Sequence, residues 1–145
     1  MRVFPIDAVL EELKIEEGFR AFVYKCSENV STIGYGKNIQ QGSGIGITQE
    51  EATYLLENDI GRCLGECRKN FNWFNDCEND VQQILVHLCF WIGITRLLGF
   101  KKMLSALQKN NREKARAELL DSRLFQQVPN RTYRLAERLV NGNQT

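Results

Sequence analysis

Three side chains near the N-terminus are of the types that can cleave a glycosidic bond. Eight residues separate Glu17 from Cys26, and five more separate Cys26 from Thr32. Glycoside hydrolysis needs one group that protonates the leaving oxygen and a second that acts on the other side of the sugar ring. Glu17 is the candidate general acid, with Cys26 and Thr32 opposite. Taken singly, Glu17 could be a solvated helix end and Thr32 a strand residue chosen for β propensity.

The surrounding sequence predicts a helix and a hairpin that carry these residues. An amphipathic first helix is predicted by apolar residues at helical spacing: Ile6, Val9, Leu10 and Leu13. Gly18 is expected to stop this helix just after Glu17. Aromatic and β-branched residues predict a strand at 22–24, residues 27–29 predict a turn, and residues 31–33 begin a second strand. Such a hairpin could bring the two candidate partners together and face them toward the acid.

Several ordered segments resemble the phage-type lysozymes, the endolysins of glycoside hydrolase family 24. The spacing of the acid, the thiol and the hydroxyl is similar to that family's catalytic spacing, in which the middle position is Asp or Cys. The resemblance covers about residues 10–142 and implies an α+β, lysozyme-like fold. In that fold a small, β-hairpin-bearing N-terminal lobe and a larger helical C-terminal lobe are joined by a long helix. The similar segments are 17–20 (EGFR), 32–36 (TIGYG), 47–52 (ITQEEA), 90–93 (FWIG) and 129–131 (PNR).

The resemblance implies hydrolysis of the β-1,4 bond between N-acetylmuramic acid and N-acetylglucosamine in peptidoglycan, with inversion by an attacking water. Glu17 would donate the proton and Thr32 would orient the water. An ordinary glutamate is ionised at neutral pH, so a general acid needs burial or a negative neighbour, such as Glu16, to keep its proton. Cys26 could act as base, nucleophile or electrostatic partner, since an ordinary thiol is mostly neutral at pH 7.

Further contacts are implied by the same resemblance. Glu28, Asn38 and Phe90 are expected to contact the substrate. Arg131 is expected to lie beside the catalytic acid and to orient it rather than supply a proton. Trp91 replaces a residue that is polar in the best-known relatives, and it is predicted either to stack on a sugar or to join the core. No cofactor and no metal are expected.

Composition limits the classes of partner. The chain has 145 residues, 43% of them hydrophobic and 26% charged, with a net charge of +1. It is long enough for a substantial core, and it has no strong field for nucleic-acid binding. The sequence contains neither a run of about 20 apolar residues nor a secretory segment. Five cysteines, an odd number, favour reduced thiols over a disulfide framework.

These bounds and the resemblance together predict where the protein works. We expect a monomer that is made in the host bacterial cytoplasm, without stable membrane association. It would reach the periplasm and cell wall at lysis, with a holin-type pore protein providing passage.

The remainder of the chain is predicted to be helical. Helix boundaries are predicted by a capping box at Thr48 and Glu51, a similar start at Asn110 and Glu113, and Pro129 with Gly142 around the last helix. The helix after Thr48 is either continuous or broken near Gly61. We predict one lysozyme-like domain over 1–145, with an N-terminal lobe at about 14–60 and a helical lobe at 61–142. The helix over 5–14 is a candidate member of the second lobe.

A structural metal is one alternative. Zinc favours thiol and imidazole ligands, and the chain offers Cys63, Cys67, Cys77, His87 and Cys89. Three of these cysteines fall on apolar helical stripes, where a free cysteine packs as a small hydrophobe. His87 is more simply a helix residue with a local partner.

Two alternatives concern activity. A non-catalytic peptidoglycan-binding module on the same fold is favoured by Cys26 in place of a carboxylate, because fold alone does not confer activity. A lytic transglycosylase would use a glutamate without needing a partner at Cys26. The intact Glu17 and Thr32 favour hydrolysis.

Overall fold

The computed structural model describes residues 4–42 and 44–142, apart from the side chain of Val9. Helices make up most of the structure, and three strands form a small antiparallel sheet. This combination confirms the predicted α+β, lysozyme-like class.

The chain divides into two compact units, Met1–Thr53 and Tyr54–Thr145. The first contains the sheet and the second contains most of the helices. The single domain with lobes at about 14–60 and 61–142 stays a prediction, as does the placement of the helix over 5–14 in the second lobe.

The first unit begins with a helix that ends where the sequence predicts. The N–H of Gly18 donates to the Lys14 carbonyl at 3.0 Å, and the φ of +69° at Gly18 turns the chain out of the helix. The elements of this unit are helix α1 (Ile6–Glu17), and strands β1 (Arg20–Lys25), β2 (Ser31–Gly34) and β3 (Lys37–Asn38).

The sheet has the order β1-β2-β3, so β2 is its central strand. Thr32 on β2 lies opposite Tyr24 on one side and Asn38 on the other. The β1–β2 turn includes Asn29, whose φ of +61° suits the tolerance of asparagine for left-handed backbone. The strand β3 was not predicted, because two residues are too few to show an alternating pattern.

A long helix, α2 (Gln49–Asn70), begins in the first unit and continues into the second. The Glu51 N–H donates to Thr48 Oγ1 at 3.1 Å, and the Thr48 N–H donates to Glu51 Oε1 at 3.0 Å, which confirms the capping box. The helix is continuous through Gly61. Over residues 4–42 and 44–142, α2 and the other helices lack the combined length and apolar character needed to cross a membrane.

The second unit is built around one hydrophobic core. Its largest fully buried side chains include Phe74, Ile84, Leu85, Leu88, Leu97, Met103, Leu119, Leu135 and Leu139. The helix over Asn79–Ile92 buries six side chains of its apolar residues in this core, namely Val81, Ile84, Leu85, Leu88, Cys89 and Ile92. The helices of this unit are α3 (Asn79–Ile92), α4 (Ile94–Leu98), α5 (Lys101–Gln108), α6 (Arg112–Leu120), α7 (Arg123–Gln127) and α8 (Pro129–Asn141).

One predicted helix start is wrong by a residue. Asn111, rather than Asn110, caps α6, because its side chain accepts a hydrogen bond from the Lys114 N–H at 3.2 Å. Asn110 instead has a φ of +58° and turns the chain between α5 and α6. The five-residue α7 was not predicted. Pro129 and Gly142 bracket α8 as expected.

An ion pair ties α6 to the start of α3. The Arg112 guanidinium donates to both oxygens of Asp80, at 2.7 and 2.8 Å, and lies 3.3 Å from Glu78 Oε2. Arg112 also donates to the Leu139 carbonyl of α8 at 3.4 Å. This one side chain therefore joins three helices at the edge of the core.

All five cysteines are free thiols. Cys63 and Cys67 on α2 and Cys89 on α3 are buried in the core of the second unit. Among the described residues, no three His, Cys, Asp or Glu side chains form a group that could hold a metal ion. These three thiols act as small packing groups, as their apolar stripes suggest.

Candidate active site

Glu17 occupies the last turn of α1 and faces the turn between β2 and β3. A Cβ atom at Gly36 would lie 2.5 Å from Glu17 Oε2, so only glycine lets this turn approach the carboxylate so closely. The aromatic rings of Phe19 and Tyr35 pack with their centroids 5.6 Å apart, and Lys14 Nζ lies 5.9 Å from the Tyr35 ring. These contacts hold the end of α1 against the hairpin that carries Thr32.

Cys26 lies at the start of the tight turn that follows β1. Its N–H donates to the Val30 carbonyl at 3.0 Å, and its carbonyl accepts from the Asn29 N–H at 2.8 Å. This closed turn places Cys26 beside Thr32, which is only 3% exposed. The Thr32 hydroxyl donates to the Val30 carbonyl at 2.8 Å. The thiol and the hydroxyl therefore share one small polar pocket on the sheet.

Hydrogen-bond donors around the sulfur lower the pKa of Cys26. The backbone N–H of Val30 contributes most, followed by that of Glu28, and the Thr32 hydroxyl adds to them. Partial burial and the Glu28 carboxylate act in the opposite direction. A hydroxyl has one proton, so Thr32 donates either to the Val30 carbonyl or to the sulfur, and the 2.8 Å bond is the one to the carbonyl. The turn thus favours the thiolate of Cys26.

The other predicted contact residues of the first unit lie near this pocket. Glu28 belongs to the β1–β2 turn and is exposed, with its carboxylate close enough to act on the Cys26 sulfur. Asn38 lies opposite Thr32, and its Oδ1 accepts from the Gln40 N–H at 3.0 Å. Lys37 pairs with Glu51 at 3.5 Å. The substrate-binding roles of Glu28 and Asn38 stay predictions.

In the second unit Arg131 is held by two residues of α3. Its Nε and Nη2 lie 3.1 and 2.9 Å from His87 Nε2, and its guanidinium carbon lies 4.2 Å from the centroid of the Trp91 ring. Trp91 is half-buried against the core of this unit, which is one of its two predicted placements, and it also packs on Arg131. The predicted pairing of Arg131 with the catalytic acid stays a prediction.

A cavity of about 490 Å³ opens beside this cluster. Most of its walls are apolar and come from α2 and α3. Two arginines also line it, Arg68 of α2 and Arg131 of α8. Phe90 lines it and is 44% exposed, so the predicted substrate contact is accessible in this unit.

Sequence reasoning missed two residues that shape these sites. The role of Gly36 is not apparent from the sequence, because the Glu17 carboxylate lies where a Cβ at this position would stand. His87 is predicted to have a local partner, but its partner is Arg131, 44 residues further along the chain. The spacing of His87 and Trp91, four residues apart, places both on one helical face but does not point to Arg131.

Comparison with known proteins identifies the family of the chain. A family model for phage lysozyme matches residues 14–137. The chain is 27% identical to the pre-baseplate central spike protein Gp5 of Enterobacteria phage T4 over 96% of its own length, but spans only 28% of that protein. It is 23% identical to probable T4-type lysozyme 1 of Dictyostelium discoideum, over 94% of the chain and 96% of that protein. Because the family match covers most of its length, the chain belongs to the phage lysozyme family of peptidoglycan-acting, glycosidase-type enzymes.

Proposed function

We propose that the protein is an endolysin-type muramidase that hydrolyses the β-1,4 bond between N-acetylmuramic acid and N-acetylglucosamine. One observation carries the proposal: Cys26 and Thr32 share a polar pocket on the β1–β2 hairpin, and the Glu17 carboxylate lies against Gly36 in the next turn of the same sheet. The family supplies the class of substrate, and this pocket supplies a chemical reason for the residue types. The bond specificity and the role of each residue are part of the proposal.

Glu17 acts as the general acid in this mechanism. Its proton passes to the glycosidic oxygen as the bond from that oxygen to the anomeric carbon breaks. A water molecule attacks the anomeric carbon from the opposite face and forms the new C–O bond. The proton released by the water is taken up by the Cys26 thiolate, and the configuration at the anomeric carbon is inverted.

Cys26 acts as the general base, and the lowered pKa of its thiol supports that role. A thiolate must be populated near neutral pH to accept a proton, and the backbone donors of Val30 and Glu28 increase that population. Thr32 orients the attacking water. Its hydroxyl donates to the Val30 carbonyl, so its oxygen lone pairs can accept a hydrogen bond from the water.

The remaining predicted residues bind the substrate or support the reaction. Glu28 and Asn38 offer polar groups near the Cys26 pocket, and Phe90 offers an exposed ring on which an apolar sugar face can pack. Arg131 supports the reaction without supplying a proton, because a guanidinium stays charged at working pH. We assign no cofactor.

The proposed biological role is host lysis at the end of a phage cycle. A monomeric enzyme made in the host cytoplasm would act on the cell wall after a holin-type pore opens. Release of the enzyme, rather than synthesis, would then set the time of lysis.

A turbidity assay on purified peptidoglycan tests the function. We expect wild type to clear the suspension, and Glu17→Gln and Cys26→Ser each to lower the rate about 10²-fold or more, as removal of a general acid or base does. Glu12→Gln on the same helix and Cys77→Ser, another partly accessible thiol, are matched controls that keep the wild-type rate.

Product analysis separates the alternatives. Reducing-end N-acetylmuramic acid of inverted configuration supports the muramidase. Anhydro-sugar products would instead identify a lytic transglycosylase, and wall binding without clearing would identify a binding module. Either result would overturn the proposed reaction.

A further inference from the structure

Arg131 is held more firmly than an arginine on a helical surface usually is. Two of its nitrogens lie within 3.1 Å of one ring nitrogen of His87, and its guanidinium packs on the Trp91 ring 4.2 Å away. Both partners come from the same face of α3, while Arg131 comes from the first turn of α8. The cluster stands beside the 490 Å³ cavity that Phe90 also lines.

The chemistry of these groups fixes the protonation state of His87. A guanidinium has five N–H donors and no acceptor, so both of its nitrogens must donate to His87 Nε2. The Nε2 atom can accept only when it carries no proton. His87 is therefore a neutral imidazole with its proton on Nδ1.

Every charged group that bears on His87 is positive. Arg131, Arg134 and Arg138 of α8 act on the ring, and Arg68 of α2 lines the same cavity. Burial contributes most to lowering the pKa of His87 below its ordinary 6.5, and the three arginines of α8 lower it further. The remaining polar groups that line the cavity are uncharged amides of α3.

We propose that His87 is a positioning residue for Arg131, and that its protonation releases Arg131. Neutral His87 holds the guanidinium against the Trp91 ring and beside the cavity. Protonated His87 offers no lone pair at Nε2 and places a second positive charge within hydrogen-bonding distance of the guanidinium. The proposal rests on the proposed function, in which Arg131 supports glycan cleavage.

The consequence is a loss of activity toward acid pH that is separate from the titration of the catalytic groups. The contribution of Arg131 to activity is complete above the pKa of His87, which lies below 6.5, and is lost as the pH drops through that pKa. We expect kcat to fall and KM to stay unchanged, because Arg131 supports the reaction rather than substrate capture.

The test compares His87→Gln with His87→Ala across pH 4.5 to 8, with peptidoglycan clearing as the readout. Glutamine places an amide oxygen near the position of Nε2 and accepts from Arg131 without titrating. We expect His87→Gln to keep the wild-type rate at pH 7.5 and to lose the part of the acid limb that His87 causes, while the part due to protonation of Cys26 remains. We expect His87→Ala to lower kcat about tenfold at every pH, because the guanidinium loses its acceptor.

An acid limb that persists unchanged in His87→Gln overturns the proposal. Nitrogen NMR of wild type gives an answer that does not depend on activity, because it reports which ring nitrogen of His87 carries the proton and how Arg131 Nε–H responds as the ring titrates. A proton on Nε2 at pH 7.5 also overturns the proposal. If wild type fails to clear peptidoglycan but the NMR titration of His87 and Arg131 coincides, the positioning stands and the muramidase function fails.

Discussion

The cysteine on the hairpin and the cysteines in the helical core are one residue type in opposite environments. Backbone N–H groups converge on the sulfur of Cys26 and lower its pKa. Burial raises the pKa of Cys67 to about 12 and that of Cys89 to about 11. The contact of Cys89 with Cys63 adds to the rise, because a hydrogen bond from the Cys89 S–H to Cys63 favours the protonated thiol and two thiolates would repel each other.

This difference shows that a tight turn can stabilise a thiolate, whereas a helical core cannot. In the turn from Cys26 to Val30, the backbone N–H groups of Val30 and Glu28 are available to the Cys26 sulfur. They can therefore stabilise a negative charge there. Inside α2 and α3 the N–H groups are already bonded within the helix, and the buried thiols meet mainly apolar neighbours. A reactive thiol is therefore expected on the hairpin, and inert thiols in the core.

Selective alkylation gives the largest expected contrast. In the folded protein, iodoacetamide at pH 7.5 should modify Cys26 roughly 10³-fold faster than Cys67, because the thiolate fraction falls tenfold for each unit of pKa. Peptide mass spectrometry after short exposure measures the ratio. Denatured protein is the control and should show similar rates at both cysteines; similar rates in the folded protein would remove the contrast.

Replacing each thiol by a carboxylate sharpens the comparison. Cys26→Asp should keep clearing activity within about tenfold of wild type, because the donors of Val30 and Glu28 stabilise a carboxylate as they do a thiolate. Cys67→Asp should destabilise the protein by about 3–5 kcal/mol, since its site is fully buried among apolar groups.

Urea unfolding and turbidity, each measured on Cys26→Asp and on Cys67→Asp, test these two predictions. Cys67→Ala serves as the control for size, since it removes the sulfur without adding charge. A Cys67→Asp variant as stable as Cys67→Ala would mean that water reaches the core at this point. An inactive, folded Cys26→Asp would argue against the general-base role.

Local features of the fold could be predicted from sequence because their causes lie within a few residues. The stop of α1 at Gly18, the capping box at Thr48 and the Pro129 start of α8 all depend on neighbours within one helical turn. The same reasoning failed by one residue at Asn111, because two adjacent asparagines offer equivalent caps and only the turn geometry distinguishes them.

In the candidate site, too, contacts between neighbouring residues could be predicted, and contacts between distant residues could not. The proximity of Cys26 and Thr32 follows from a tight hairpin, which the residue types predict, since only five residues separate the two. The contact of His87 with Arg131 joins residues 44 apart in sequence, so no local pattern could reveal it. Gly36 illustrates the same limit, since its importance comes from a carboxylate on a different element.

Burial should also separate two ion pairs of the second unit, with a smaller effect than for the thiols. Asp80 and Arg112 are 17% and 21% exposed and form a two-bond contact, whereas Asp59 and Arg62 on α2 are 39% and 65% exposed. Asp80→Asn should lower the free energy of unfolding by about 2 kcal/mol. Asp59→Asn, the matched control, should have almost no effect, as for most exposed pairs.

The pH dependence of stability shows whether the charge of Asp80 causes the stabilisation by its pair with Arg112. The hydrogen bonds from Arg112 contribute most to lowering the pKa of Asp80 below its ordinary 3.8. The unfolded chain therefore binds a proton more readily, so the stability from this pair is complete above about pH 4 and is lost as the pH falls through the folded-state pKa. Wild type should show this loss in urea titrations between pH 5 and 2, and Asp80→Asn should show a correspondingly smaller one. Equal acid sensitivity in the two proteins would mean that Arg112 stabilises the helices through its bond to the Leu139 carbonyl and through packing rather than through the Asp80 charge.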